Sequence, residues 1–166
     1  LDCYDLKGRE IYSYSQKGVN AEANSRNDLF KADTEGLAGT YILRLRLSDR
    51  KGRAISVNDY IMRDKDTPDY QALNSVPQAR LKARSLKPSA DGRIRFEISN
   101  PSDGIALNLK LNLRDRQSGE IILPAYFSEG YFHLLPGEKR TVELSAPSEG
   151  SISVEGYNVA ETIIIR

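Results

Sequence analysis

The side chains able to do chemistry gather in one stretch. From Tyr126 to Glu138 stand four aromatic residues (Tyr126, Phe127, Tyr131, Phe132), two carboxylates (Glu129, Glu138) and the single histidine, His133. Sugars stack their apolar C–H faces on aromatic rings, and a tyrosine adds a hydroxyl for hydrogen bonding. Glu129-Gly130 forms a bend between Tyr126 and Tyr131. Tyr126, Glu129 and Tyr131 are therefore the candidate contacts, to a sugar or to a neighbouring domain, whereas the phenylalanines read as core. The lack of tryptophan weighs against a dedicated carbohydrate-binding module. Retaining glycoside hydrolysis needs two carboxyl groups about 5 Å apart, one with a raised pKa. Glu138 follows Pro136-Gly137 and is expected in a solvated turn. His133 has no serine or cysteine in a nucleophile motif beside it, so it is expected as a strand residue, packed at its ring edge or facing water. Cys3 reads as an inert small hydrophobe. One cysteine and one histidine cannot assemble a zinc site, and no glycine-rich phosphate loop occurs. No catalytic residue, metal ligand or cofactor-binding residue is expected.

Strands must position these groups. Thr40 to Asp49 alternates Tyr41, Leu43, Leu45 and Leu47 with Arg44, Arg46 and Ser48. Ala106 to Asp115 alternates four leucines with Asn108, Lys110, Asn112 and Arg114, and Arg93–Ser99 sets Ile94, Phe96 and Ile98 against Arg95 and Glu97. Such alternation predicts strands with the apolar face buried and the polar face in water. Three segments, starting at Asp5, Asp49 and Asp115, share a turn plan in which an aspartate closes one strand and a glycine supplies φ > 0 before the next. Each predicts a hairpin. Pro136-Gly137-Glu138 predicts a tight turn between Tyr131–Leu135 and Thr141–Leu144. Helix should be nearly absent.

The length, 166 residues, fits one full domain or two small ones and excludes a (β/α)8 barrel. With 24 basic and 23 acidic residues the net charge is +1, so neither nucleic acid nor an anionic membrane is an expected partner. Asp64–Pro77 breaks the strand pattern with two prolines and reads as a connector. Residues 78–166 are expected to form a complete immunoglobulin-like β-sandwich of seven to eight strands. Residues 1–63 show five candidate strands (Leu1–Leu6, Glu10–Ser15, Asn24–Ala32, Tyr41–Asp49, Ala54–Arg63), too few for a seven-strand sandwich. The fold class is thus all-β: two immunoglobulin-like modules in series, joined at 64–77, the first truncated on its N-terminal side. An incomplete sandwich leaves apolar face and strand edges open, so these are expected to be buried by self-association through the first module or against the second module.

Several motifs resemble a known family. Tyr126–Glu138, ending in Leu-Leu-Pro-Gly-Glu, resembles the last domain of glycoside hydrolase family 2 enzymes of the β-mannosidase and exo-β-glucosaminidase type. Asp69-Tyr70-Gln71-Ala72-Leu73-Asn74 is similar to that group's linker, Val154-Glu155-Gly156-Tyr157-Asn158-Val159 to its final strands, and Tyr4–Tyr12 to a hairpin of the preceding domain. The resemblance implies a non-catalytic accessory region of a larger enzyme whose two catalytic glutamates lie on a barrel outside this chain. It further implies that barrel as partner, an oligosaccharide at the domain rim, and a periplasmic or secreted location. The alternative is a free-standing binding module, carbohydrate-binding or adhesin-like.

Overall fold

The computed structural model describes residues 1–20 and 22–165. They form twelve β-strands and one short 3-10 helix, Gln71–Ser75, and the chain divides into two compact units, Leu1–Asn74 and Ser75–Arg166.

The first unit holds β1 (Asp2–Asp5), β2 (Glu10–Ser13), β3 (Thr40–Ser48) and β4 (Ala54–Arg63) in one antiparallel sheet, ordered β2-β1-β3-β4. Two hairpins with the same chemistry build it. Asp5 accepts the Gly8 N–H on its carbonyl, and its carboxylate takes the N–H groups of Lys7 and Arg9, each at 2.9 Å, plus the Arg9 Nε at 2.7 Å. Asp49 repeats these contacts with Gly52, Lys51 and Arg53 at nearly the same distances. Gly8 and Gly52 both have φ of 79°, a backbone state that favours glycine. One aspartate per turn thus satisfies the inward N–H groups that a five-residue reversal leaves without ladder partners.

Two expectations fail in this unit. Asn24–Ala32 forms no strand. Asn24 sits at φ 58°, the Ser25 N–H closes a turn on the Glu22 carbonyl, and the segment is too polar to give a period-two apolar face. The second failure is the face assignment of β3. Arg44, expected in water, is 2% exposed, while Leu45 and Leu47 on the apolar face are exposed. Burial of Arg44 is tolerated because its guanidinium meets the Asp59 carboxylate of β4 through two hydrogen bonds, at 2.7 and 2.9 Å, and lies 6.0 Å from the Tyr4 ring. Cys3 is fully buried, and burial pushes its thiol pKa up.

The second unit is a two-layer sandwich. One layer is β5 (Lys82–Leu86), β6 (Ile94–Ser99), β10 (Lys139–Ser145) and β8 (Tyr126–Phe127), in that spatial order. The other is β12 (Val159–Ile165), β11 (Ser151–Gly156), β7 (Ala106–Arg114) and β9 (Phe132–Leu134). The first order corresponds to the ABED layer of an immunoglobulin-like fold and β12-β11-β7 to its GFC layer, with β9 added at the edge beside β7. Alternation on β6, β7 and β10 delivers Phe96, Ile98, Leu109, Leu111, Leu113, Val142 and Leu144 to one core, joined by Ile152 and Val154 of β11. Each such side chain contributes about 1.5–3 kcal/mol on burial. The turn at Pro136-Gly137 does link two strands, but they belong to different layers, so the chain changes sheets there.

Candidate functional site

The aromatic stretch runs along the edge of the second unit. β8 pairs only with the end of β10, through Phe127 opposite Leu144 and Tyr126 opposite Ser145. Tyr126 is 68% exposed and Tyr131 75%, whereas Phe132 is buried and Phe127 half-buried. The division between tyrosines outside and phenylalanines inside follows from the phenolic hydroxyl, which keeps water without a partner. β9 does not alternate: Phe132, His133 and Leu134 are all buried.

Glu129 is not a free carboxylate aimed outward. It pairs with Arg140 at 3.2 Å, and Arg140 reaches Glu138 at 3.2 Å while its guanidinium lies 5.1 Å from the Phe132 ring centroid. Glu138, expected to be solvated, is half-buried and accepts the Leu135 N–H at 2.8 Å. The reason is local: the turn leaves that N–H pointing inward, and a glutamate three residues on is long enough to reach back to it. Both carboxylates therefore stabilise the turn through one arginine.

His133 has a comparable structural task. The β7–β9 register breaks between Ala106 and Leu109, where Asn108 takes φ 49°. The break withdraws the Asn108 N–H from the ladder, and His133 Nδ1 accepts it at 2.9 Å. An acceptor Nδ1 carries no proton, so the ring is the neutral Nε2–H tautomer. Across the same bulge Gly156 is required by space, because a Cβ there would stand 2.7 Å from the Leu107 carbonyl oxygen and 2.9 Å from Leu109 Cδ2.

Two asparagines that the sequence did not single out are the buried polar centres of this unit. Asn158 accepts the Leu107 N–H at 2.9 Å and donates to the carbonyls of Ile105 at 2.8 Å and Pro77 at 2.7 Å, while its own carbonyl takes the Ala79 N–H at 2.9 Å. Asn100 donates to Gly104 and Leu134 at 2.8 and 3.0 Å and backs the Pro136-Gly137 turn through the Gly137 N–H. Each follows a strand or precedes a Pro or Val, a pattern that marks a loop rather than a buried hub.

Two surface clefts lie among the described residues of the second unit, beside others. One, of about 330 Å³, is lined by Arg93, Tyr126, Phe127, Ser128, Glu143 and Ser145. Tyr126 enters it; Glu129 and Tyr131 do not. The other, of about 560 Å³, lies over Arg114, Ser153, Glu161, Thr162 and Ile163, with Arg114 bonded to both Ser153 and Glu161. Among the described residues no group of three or more His, Cys, Asp or Glu side chains is placed to hold a metal ion.

The fold and these buried knots lie in a stretch with a known counterpart. The family model described as the exo-β-D-glucosaminidase Ig-fold domain matches residues 59–159. The chain belongs to this family. An exo-β-D-glucosaminidase of Arthroderma benhamiae is 26% identical over 182 residues, a match covering 99% of this chain and 21% of that protein. One from Streptomyces avermitilis is 25% identical over 192 residues, covering 97% and 21%. Among solved structures, the Amycolatopsis orientalis exo-chitosanase CsxA superposes with a TM-score of 0.78 at 20% identity, over 99% of this chain and 23% of that one, a likeness of fold. This chain thus spans about a fifth of the length of the curated relatives it matches. The glycoside hydrolase resemblance of its motifs is borne out, and the Val154–Val159 motif that carried it includes the Gly156 and Asn158 knot.

Proposed function

We propose that this chain is a non-catalytic accessory region of a larger glycoside hydrolase of the exo-β-glucosaminidase type. In this reading the catalytic barrel belongs to the same parent protein, in the periplasm or outside the cell, and the chain supports it. The observation that carries the reading is the fate of Glu129 and Glu138. Both are held by Arg140, and Glu138 also by the Leu135 N–H, so neither is a free acid or nucleophile beside the aromatic strand. The family match, over a fifth of the relatives' length, supports it from outside the chain. Purified chain incubated with aryl β-glucosaminides and β-mannosides is expected to release aglycone no faster than buffer. Turnover abolished by Glu129→Gln or Glu138→Gln would sink the proposal.

A second reading has its own observation: Tyr126 and Tyr131 hold their rings in solvent at the edge of the unit, the arrangement a stacked sugar needs. Titration with glucosamine and mannose oligosaccharides separates the two. Binding below about 1 mM that is lost in Tyr131→Ala and Tyr126→Ala favours a rim contact with sugar. No heat or shift at that concentration leaves these rings as contacts to protein.

A further inference from the structure

The walls of the cleft beside Tyr126 are fixed by the sheet itself. All of them belong to the second unit, whose two layers close on one core. Phe127 of β8 lies opposite the core residue Leu144, so its neighbour Tyr126, opposite Ser145, stands on the outer face of the layer. Glu143 lies on that same face of β10, opposite Arg95 of β6. Past the end of β8 the pairing continues. The Ser128 N–H donates to the Glu143 carbonyl at 2.8 Å, and the Glu143 N–H donates to the Ser128 hydroxyl oxygen at 3.0 Å. An exposed aromatic ring and a carboxylate are thus held side by side before any ligand arrives.

The charges around the cleft cancel. Arg93 Nε meets Asp91 at 2.9 Å and its Nη1 stands 3.4 Å from Glu143, while Arg95 Nε stands 3.4 Å from the other Glu143 oxygen. Two guanidiniums therefore balance two carboxylates. Both contacts to Glu143 are long beside the 2.7 Å pair of Arg44 and Asp59, and that of Arg95 Nε makes no hydrogen bond. Glu143 keeps capacity to accept hydrogen bonds, and the half-exposed Arg93 keeps capacity to donate them. A ligand that suits these groups has an apolar face for the ring, adjacent hydroxyls for a carboxylate beside a guanidinium, and no net charge. A pyranose has all three. At about 330 Å³ the cleft is at the small end of ligand sites, suited to a short stretch of sugar.

We propose that this cleft binds a neutral pyranose of an oligosaccharide, stacked on Tyr126 with its hydroxyls on Arg93 and Glu143. The inference rests on the second reading above, that the exposed tyrosines meet sugar, and narrows it to one ring, two polar partners and an uncharged residue. Arg93 is the more exposed charge of the cleft, so the ammonium of a protonated glucosamine is opposed there.

The test is an amide NMR titration of the nitrogen-labelled full chain with cellotetraose, a neutral β-linked tetrasaccharide. Saturable shifts are expected at Tyr126, Ser128 and Glu143, with a dissociation constant on the order of 1 mM. Tyr126→Ala and Arg93→Gln, each checked for an unchanged thermal midpoint, should weaken binding about tenfold or more, and Tyr131→Ala should leave it unchanged. The glucosamine tetrasaccharide at about pH 5.5, where its amino groups are charged, should bind at least about fivefold more weakly than cellotetraose. No shift with either sugar up to about 10 mM overturns both this inference and the reading beneath it. Binding that survives Tyr126→Ala and Arg93→Gln but is lost in Tyr131→Ala overturns the inference alone and leaves sugar at the rim. Tighter binding of the charged tetrasaccharide overturns the assignment of a neutral ligand.

Discussion

At the scale of single residues, the polar side chains most worth testing stabilise rather than react. Asn158→Ala removes an acceptor for the Leu107 N–H and a donor to the buried Ile105 carbonyl. Each buried group left without a partner costs about 1–3 kcal/mol, so the variant is expected to lose about 3 kcal/mol, read as a lower urea midpoint at unchanged slope. Tyr126→Ala and Tyr131→Ala, which truncate exposed rings, should stay within about 0.5 kcal/mol of the parent. The contrast measures how far legibility went. Tyrosine outside and phenylalanine inside follow from residue type alone, but nothing in Gly-Tyr-Asn says that the asparagine is buried. Only the fold brings Pro77 and Ile105 to one amide. Asp64 gives a pH test. It accepts hydrogen bonds from the Thr67 hydroxyl and from the N–H groups of Gly39, Thr67 and Asp66, which hold its pKa at about 2, below the ordinary 3.8. A lowered carboxyl pKa stabilises the fold above about pH 4, and that contribution is lost as pH falls toward 2. The thermal midpoint of the parent should therefore drop more steeply between pH 5 and pH 2 than that of Asp64→Asn. Parallel curves would deny Asp64 this role.

At the scale of elements, alternation told strands from helices but not which side of a strand is covered. β7 obeyed the simple rule in part: a second layer covers Leu109, Leu111 and Leu113, but Asn112, expected in water, is buried as well. β3 reversed it in part, because Arg44 is buried against Asp59, fifteen positions along the chain, with which β4 pairs it. No local pattern reveals such a partner. Removing one half of a buried pair strands the other, so Asp59→Ala is expected to destabilise by about 3–5 kcal/mol, and the double variant Arg44→Met, Asp59→Leu by less. If chemical denaturation ranks the double variant as the worse of the two, the pair is more than a compensated charge. The turns were easier to read. Asp-x-Lys-Gly-Arg occurs at Asp5 and at Asp49, and its contacts are the same in both places because they depend on five consecutive residues only.

At the scale of the whole molecule, the two units differ in how completely each covers its own apolar surface. Ser75–Arg166 closes a core between two sheets, and expressed alone it should unfold cooperatively with well-dispersed amide resonances. Leu1–Asn74, with one sheet and an open leucine face, should by itself bind a hydrophobic dye and melt without a sharp transition. The all-β class and the second sandwich were legible because their period-two runs are long and their turn signals regular. Asn24–Ala32 lies between two real strands, but its polar residues give no period-two face and it forms none. Because the chain has one histidine, its imidazole nitrogens give a single unambiguous pair of NMR signals. Nδ1 is tied to the Asn108 amide inside the β7 bulge, so in the nitrogen-labelled chain those signals form a built-in gauge of whether the sandwich around the bulge is intact.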